Sequence, residues 1–273
     1  MAADLDSTCN QELTENRPMD NFTNLHFLLI ILLIFIASSV TTAIGFGLNI
    51  MLISFLQFFM PPVQIVGLAI VVGTLNAAIR VVETRQVNTS GISWRMIVPG
   101  VLAIPLGLTI LYFSDTIFLK RLFSVIILAG TVLLVGTRKS MPGKLSNSKP
   151  AQVKQMVLGA AGGLMGGLSG MAAIAIVFCS LIQNWEKMLA HAVFARYFFV
   201  IGIAAGIGLY WIGLCDGQTM AVGLYLTPIV WLGFATGIFM RHRISQQRFR
   251  TYTTICLIVL AVVGFVNTFF VTS

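Results

Sequence analysis

Residues 25–60 read LHFLLIILLIFIASSVTTAIGFGLNIMLISFLQFFM, and this apolar stretch decides the fold. A single helix of these 36 residues would extend about 54 Å, whereas the hydrocarbon core of a bilayer is about 30 Å thick. The stretch also contains Gly45 and Gly47, and glycine is a poor helix former that readily adopts left-handed backbone. We therefore interpret the stretch as two helical pieces joined by a break near these glycines.

A second apolar stretch, residues 155–183, has the same features. It contains six glycines: Gly159, Gly162, Gly163, Gly166, Gly167 and Gly170. We predict two helical pieces here as well, with the second piece starting near Gly170. Close packing of helices through small residues is the alternative explanation of this spacing, and we favour it for residues 159–166.

The rest of the chain indicates an all-α polytopic membrane protein. Of its 273 residues 57% are hydrophobic and 10% are charged, whereas a soluble domain has about 25% charged residues. Basic residues lie mostly in the short connections between apolar runs, so the sequence predicts contact with lipid and no nucleic-acid interface. Further apolar runs occupy residues 64–82, 96–113, 117–136, 188–214, 219–240 and 252–270.

The charged connections predict how the chain is threaded. If each long stretch crosses the membrane once, the two most basic connections, 137–154 and 241–250, lie on opposite sides, against the positive-inside rule. If each long stretch instead enters and returns, as a re-entrant hairpin or as two crossings, both connections are cytoplasmic. The cytoplasmic side then holds 13 basic and two acidic residues, and the outside holds three basic and seven acidic ones. We favour the second arrangement.

This arrangement divides the chain into four parts. We predict an acidic extracytoplasmic tail at 1–24, a first membrane repeat at 25–136, a basic cytoplasmic linker at 137–154 and a second membrane repeat at 155–273. Each repeat then makes an odd number of crossings, so the two repeats have opposite orientation. Inverted repeats with broken helices are common in transporters, in which the breaks meet at the substrate site near the midplane.

The sequence also resembles a known family. The Gly-rich broken first helix, a third helix that starts with Pro99, and the stretch GIFMRHRIS at 237–245 followed by Arg248-Phe249-Arg250 are similar to the TauE/SafE sulfite exporter family, over about residues 25–270. The family often has a fuller glycine cluster followed by proline; this chain has Gly45-Phe46-Gly47-Leu48-Asn49 and Ser169-Gly170-Met171-Ala172-Ala173 in its place. The resemblance implies export of sulfite, thiosulfate or an organosulfonate such as sulfoacetate across the inner membrane, without ATP hydrolysis.

Arg196 is the most unusual residue of the apolar runs. It lies about 13 Å into the helix predicted from residue 188, and a charge at that depth costs at least about 2.5 kcal/mol unless it faces a cavity or a partner. No carboxylate lies at similar depth, so we predict that Arg196 binds the sulfonate or carboxylate of a substrate. The alternatives are a side chain that reaches the membrane surface and one that satisfies backbone carbonyls at a helix break. Arg80, near a helix end, is expected to extend to the cytoplasmic surface, with a cytoplasmic entry point for the substrate as its alternative role.

Backbone groups and neutral side chains complete the predicted substrate site. Helical pieces that start near Gly47 and Gly170 would direct free N–H groups and positive helix ends toward the midplane, where they attract anions. Asn49 and Ser169 would add donors there, with helix capping as the alternative role. Other polar residues of the apolar runs are further candidates, although hydroxyls often bond to their own helix. These candidates are Thr42, Asn76 and Tyr197.

Several motifs are missing from the sequence, and their absence narrows the function. There is no Walker motif, no intramembrane Asp or Glu and no cysteine or histidine spacing typical of a metal site, so we expect neither ATP nor another cofactor. We predict a secondary transporter in the inner membrane and not an enzyme. Its partners are a small anion and the lipid bilayer, and a homodimer is compatible with the sequence. An anion channel and an importer remain open as alternatives, and a membrane-embedded enzyme is a less favoured one because no catalytic cluster is visible.

Overall fold

The computed structural model describes residues 24–44, 46–56, 61–89, 91–115, 117–119, 121–126, 148–183, 185–215 and 217–243. These residues form helices and their connections, and none of them belongs to a β-strand. The apolar run at 252–270 and nearly all of the predicted acidic tail lie outside the described residues, as do residues 137–147 of the predicted linker.

The helices are numbered in chain order. They are α1 (Asn24–Ile44), α2 (Leu48–Leu56), α3 (Pro62–Glu83), α4 (Ile92–Phe113), α5 (Lys149–Ser169), α6 (Ala173–Ile182), α7 (Lys187–Trp211), α8 (Gly217–Tyr225) and α9 (Thr227–Arg243). Residues 117–119 and 121–126 are also helical. Helices α3, α4 and α7 are each long and apolar enough to span a bilayer, and α8 with α9 forms a fourth candidate span. Helix α5 begins before the apolar stretch at 155, so the end of the predicted linker is helical.

Both predicted helix breaks are present. Helix α1 ends at Ile44 and α2 begins at Leu48, and Gly47 between them has a φ of 116°. The second break separates α5 from α6, where Gly170 has a φ of 69°. Residues with a Cβ atom rarely adopt such angles, whereas glycine does so readily. Each glycine therefore allows one helix to end and the next to begin within a few residues.

Glycines elsewhere bring helix backbones into contact. Helix α4 packs most extensively against α5, and a Cβ atom on Gly163 would collide with the backbone carbonyl of Gly100. Helix α9 packs in a similar way against α1, where a Cβ atom on Gly233 would meet Phe35 and Ser38. Helix α5 is continuous through residues 159–166, so the packing explanation favoured for these glycines is confirmed.

Two predicted helices differ in detail from the structure. Helix α4 begins seven residues before Pro99 and continues through it, so this proline lies inside the helix and does not start it. The apolar run at 219–240 forms two helices, α8 and α9, that meet at an angle of 41°. Pro228 has no N–H to donate to the carbonyl of Leu224, and the hydroxyl of Thr227 donates to that carbonyl instead, at 2.5 Å. The proline therefore accounts for the bend.

The two halves of the chain have the same order and spacing of helices. Helix α1 starts at Asn24 and α5 at Lys149, which is 125 residues later. The same offset of 125 residues separates the starts of α2 and α6, of α3 and α7, and of α4 and α8. The packing follows this correspondence, since α4 lies against α5 and its counterpart, the α8–α9 pair, lies against α1 through α9. Helices α3 and α7, one from each half, pack against each other.

Candidate anion-binding site

A cavity lies between the two helix breaks and the middle of α3 and α7. It offers about 60 Å³ to the centres of water-sized molecules. One water needs about 10–15 Å³, so the cavity has room for about four to six waters or for one small ion. Gly73, which lines it, is the twelfth of the 22 residues of α3, about 16 Å from either end of that helix. The cavity is therefore at the depth of the bilayer midplane if α3 spans the membrane.

Asn49 connects the two breaks directly. Its side-chain Nδ2 donates a hydrogen bond of 2.8 Å to the backbone carbonyl of Gly170. Its amide lies against the backbone of α3 at Gly73, where a Cβ atom would collide with the amide oxygen. Gly47, Asn49 and Gly170 all line the cavity, so the predicted meeting of the two breaks is found in the structure.

Two helix starts also contribute to the cavity wall. The backbone N–H of Met51 donates to Gly47, so the amides that precede Met51 in α2 have no acceptor within the helix. Leu48 and Asn49 at this start line the cavity, and so do Ala172 and Ala173 at the start of α6. Helix starts carry partial positive charge, so the electrostatic potential here favours an anion.

Arg80 adds a full positive charge to the cavity. Its side chain is 2% exposed and lines the cavity from α3. The expectation that Arg80 extends to the cytoplasmic surface is wrong, because its side chain is enclosed within the packed helices. Gly73, Asn76 and Arg80 follow one another at three- and four-residue spacing, which places them on one face of α3. That spacing was the sequence signal that could have identified Arg80 as a residue of the candidate site.

Asn76 and Thr41 bring further polar groups to the cavity. The Nδ2 atom of Asn76 donates to the hydroxyl oxygen of Ser38 at 2.8 Å, and that hydroxyl donates to the carbonyl of Val230 at 2.8 Å. The hydroxyl of Thr41 is buried and has no hydrogen-bond partner among the described residues. Such unsatisfied buried groups are uncommon, and ligand-binding sites are one place where they occur.

Arg196 is placed outside the cavity. Its guanidinium donates to the hydroxyl of Thr89 at 2.6 Å, to the carbonyl of Val87 at 2.9 Å and to the carbonyl of Arg85 at 3.4 Å. These acceptors belong to the connection between α3 and α4. The structure thus corresponds to the alternative in which Arg196 satisfies backbone carbonyls, because the end of α3 supplies acceptors that no helix amide uses.

Three other predicted site residues also lie outside the cavity lining. The hydroxyl of Tyr197 donates to the carbonyl of Gly159 at 2.6 Å and joins α7 to α5. The hydroxyl of Ser169 donates to the carbonyl of Met165 within α5 and accepts from the backbone N–H of Met171 at 3.4 Å, so it bonds to its own helix and to the connection that follows. Thr42 packs against Gly237 of α9. Of the eight predicted residues, the cavity brings together Gly47, Asn49, Asn76 and Gly170.

The family model for Sulfite exporter TauE/SafE matches residues 30–264. The chain belongs to the TauE/SafE sulfite exporter family. The matched residues contain both helix breaks and the whole cavity lining. No curated protein and no solved structure was found to match the chain. This TauE/SafE protein is accordingly a multi-pass membrane transporter of the sulfite exporter type.

Proposed function

We propose that this TauE/SafE protein is a secondary transporter that exports small sulfur-containing anions, such as sulfite or thiosulfate, across the inner membrane. The substrate binds in the cavity between the two helix breaks. The observation that carries the proposal is the convergence of Arg80 and the starts of α2 and α6 on one cavity whose described lining contains no carboxylate. Three sources of positive potential around one cavity favour a bound anion.

The arrangement of the two halves supports transport by alternating access. We infer that the halves are inverted repeats, because their helices start at a constant offset and the positive-inside rule requires opposite orientations. In such transporters the repeats move relative to each other around a site at the midplane, which is where the cavity lies along α3. An anion that leaves a cell with a negative interior gains about 2.3 kcal/mol per charge for each 100 mV. Export therefore needs no ATP.

Ligand-dependent thermal stabilisation of the detergent-purified protein tests the site. A ligand that binds only the folded protein at a hundredfold excess over Kd stabilises it by about 2.7 kcal/mol. We expect sulfite or thiosulfate to stabilise the wild type, Arg80→Lys to weaken this effect and Arg80→Ala to abolish it. The matched control is Arg196→Ala, which removes an arginine outside the cavity and is expected to leave the stabilisation by ligand intact.

Efflux of sulfite from loaded proteoliposomes then tests the direction of transport and the substrate. We expect an inside-negative potential to accelerate the exit of sulfite from vesicles that contain the wild type and not from those that contain Arg80→Ala. Equal ligand stabilisation in Arg80→Ala and wild type would contradict the site. Stabilisation by sulfite without any saturable flux would contradict transport and would indicate that the protein only binds the anion.

A further inference from the structure

Oxygen atoms that can only accept hydrogen bonds share the cavity with Arg80. Asn76 is the first. The hydroxyl proton of Ser38 is directed to the carbonyl of Val230, so this hydroxyl must accept from Asn76. Only the Nδ2 of an asparagine amide can donate, so the network fixes which way the amide points. Because Nδ2 is directed to Ser38, Oδ1 is the atom of this amide that can accept from a ligand in the cavity that Asn76 lines.

Asn49 repeats this arrangement from the other side of the cavity. Its Nδ2 donates to the carbonyl of Gly170, and a carbonyl can only accept, so the orientation of this amide is fixed as well. Its Oδ1 lies over Gly73, and both residues line the cavity. The cavity thus presents two fixed acceptors in addition to the cationic groups. Thr41, whose buried hydroxyl has no partner among the described residues, can accept or donate.

From these groups we infer that the cavity binds a singly charged oxyanion that carries its own hydroxyl proton. This inference rests on the proposed function, since it specifies the ligand of the same site. The charge of the anion meets Arg80 and the starts of α2 and α6, and its hydroxyl donates to the Oδ1 of Asn76. Hydrogen sulfite and bicarbonate both have this chemistry, and both are small enough for a cavity that holds about four to six waters.

Ligands without such a proton are expected to bind less well. A fully deprotonated dianion directs lone pairs against the Oδ1 atoms of Asn49 and Asn76. A monoanion without a hydroxyl, such as methanesulfonate, has no proton to donate to these oxygens. A buried acceptor without a donor weakens binding by roughly ten- to a hundredfold.

The pH dependence of binding distinguishes a protonated monoanion from a dianion and from a monoanion without a hydroxyl. Among the described residues that line the cavity from α1, α2, α3, α5, α6 and α7, Arg80 is the one titratable side chain, and a guanidinium keeps its charge throughout the accessible pH range. His191 and Tyr197 on α7 and Cys179 on α6 do not belong to the lining. A change of affinity between pH 6 and pH 9 therefore reports the protonation of the anion.

Isothermal titration calorimetry on the full chain in detergent provides the test, with sulfite, bicarbonate, methanesulfonate and sulfate as ligands. We expect the apparent Kd for total sulfite to be constant below the second pKa of sulfurous acid. Above that pKa it rises about tenfold for each pH unit, because the monoanion is depleted. Methanesulfonate and sulfate bind at least about tenfold more weakly at pH 6 and show no such slope. His191→Gln is expected to retain the slope for sulfite.

Variants of the acceptor network complete the experiment. Asn76→Leu removes the acceptor and is expected to abolish the preference for hydrogen sulfite over methanesulfonate. Ser38→Ala keeps Asn76 but releases its amide, so it is expected to reduce the preference for hydrogen sulfite. This variant replaces Asn76→Leu in the test if Asn76→Leu does not fold. Ser39→Ala is the matched control, because Ser39 bonds to Phe35 and Thr236 and does not line the cavity.

The outcomes distinguish this inference from the proposed function. A Kd for sulfite that stays constant or falls with rising pH overturns the inference and leaves sulfite transport intact. Binding of bicarbonate with a constant Kd over the pH range in which it keeps its proton, without binding of sulfite, supports the inference and removes the sulfur anion as substrate. If none of the four anions binds at any pH, both proposals fail.

Discussion

At the residue scale, two arginines have opposite roles that their partners decide. Arg80 lines a cavity in which a ligand can meet its charge, whereas Arg196 donates to three acceptors of the connection between α3 and α4. Hydrogen bonds from a charged donor contribute about 1.5–3 kcal/mol each. Arg196 therefore fixes this connection to α7.

The role of Arg196 leads to a prediction about coupling. We expect Arg196→Ala to lower the free energy of unfolding by about 1.5–3 kcal/mol and Thr89→Ala to lower it less. The double variant is expected to be little less stable than Arg196→Ala, because both substitutions remove the same hydrogen bond. Thermal unfolding in detergent measures all three. Fully additive effects would show that Arg196 and Thr89 do not interact in the folded protein.

Gly73 and Asn49 provide a second prediction at this scale. Each of the three atoms that a Cβ atom on Gly73 would meet first belongs to Asn49. We expect Gly73→Ala to displace the Asn49 amide from Gly170, to lower the melting temperature and to abolish ligand stabilisation. The addition of Asn49→Ala removes the collision and is expected to restore the melting temperature but not ligand binding. Gly206→Ala in α7 is the control, because a Cβ atom there makes an ordinary contact of 3.7 Å with Ile70.

At the element scale, glycine has two uses that the structure separates. Gly47 and Gly170 have positive φ angles and lie where one helix ends and another begins. Gly159, Gly163 and Gly167 instead lie within the continuous helix α5 on the face that packs against α4. A Cβ atom on Gly163 would collide with the backbone of Gly100, and backbone cannot move aside without displacing the whole helix. A Cβ atom on Gly166 would meet only the side chains of Ile201 and Ala172.

This difference predicts how two nearby substitutions in α5 behave. We expect Gly163→Ala to separate α4 from α5 and to destabilise the protein by about 1–3 kcal/mol or more. Gly166→Ala is expected to have a smaller effect, since the shorter contact is with the side chain of Ile201, which can adjust, and alanine favours helix by about 0.5–1 kcal/mol. The yield of monodisperse protein and the melting temperature measure both effects. Equal loss in the two variants would contradict backbone contact between α4 and α5.

The elements also show what the sequence can and cannot predict. The breaks at Gly47 and Gly170 were predictable, because stretch length and glycine conformation are local properties. The roles of Arg80 and Arg196 were not, because depth within a helix does not tell whether a side chain faces a cavity or a neighbouring connection. That depends on how α3 and α7 pack across the two halves. The bend at Pro228 had a local signal in the proline itself, but prolines also lie within the uninterrupted helix α4.

At the scale of the whole molecule, the offset of 125 residues between corresponding helix starts matters most. The two halves share little sequence in the cavity, since Asn49, Asn76 and Arg80 come from the first half and the second half contributes mainly glycine, alanine and apolar residues there. The first half therefore supplies the polar side chains, and the second supplies a helix start and close packing. A shared architecture with divided roles is compatible with two repeats that have diverged.

The inversion of the halves gives the last prediction. Gln86 follows α3 and Ile212 follows α7, so they occupy corresponding connections of the two halves. In inverted repeats these connections face opposite sides, with Gln86 cytoplasmic and Ile212 outside. If each broken helix pair instead crossed once, both residues would face the same side.

We expect a membrane-impermeant thiol reagent to label Ile212→Cys in intact cells and Gln86→Cys only after lysis, in a background in which the native cysteines are replaced by alanine. Asp115→Cys, after α4, serves as the internal control and is expected to label from outside. Labelling of Gln86→Cys and Ile212→Cys from the same side would contradict inverted repeats, and with them alternating access around the cavity.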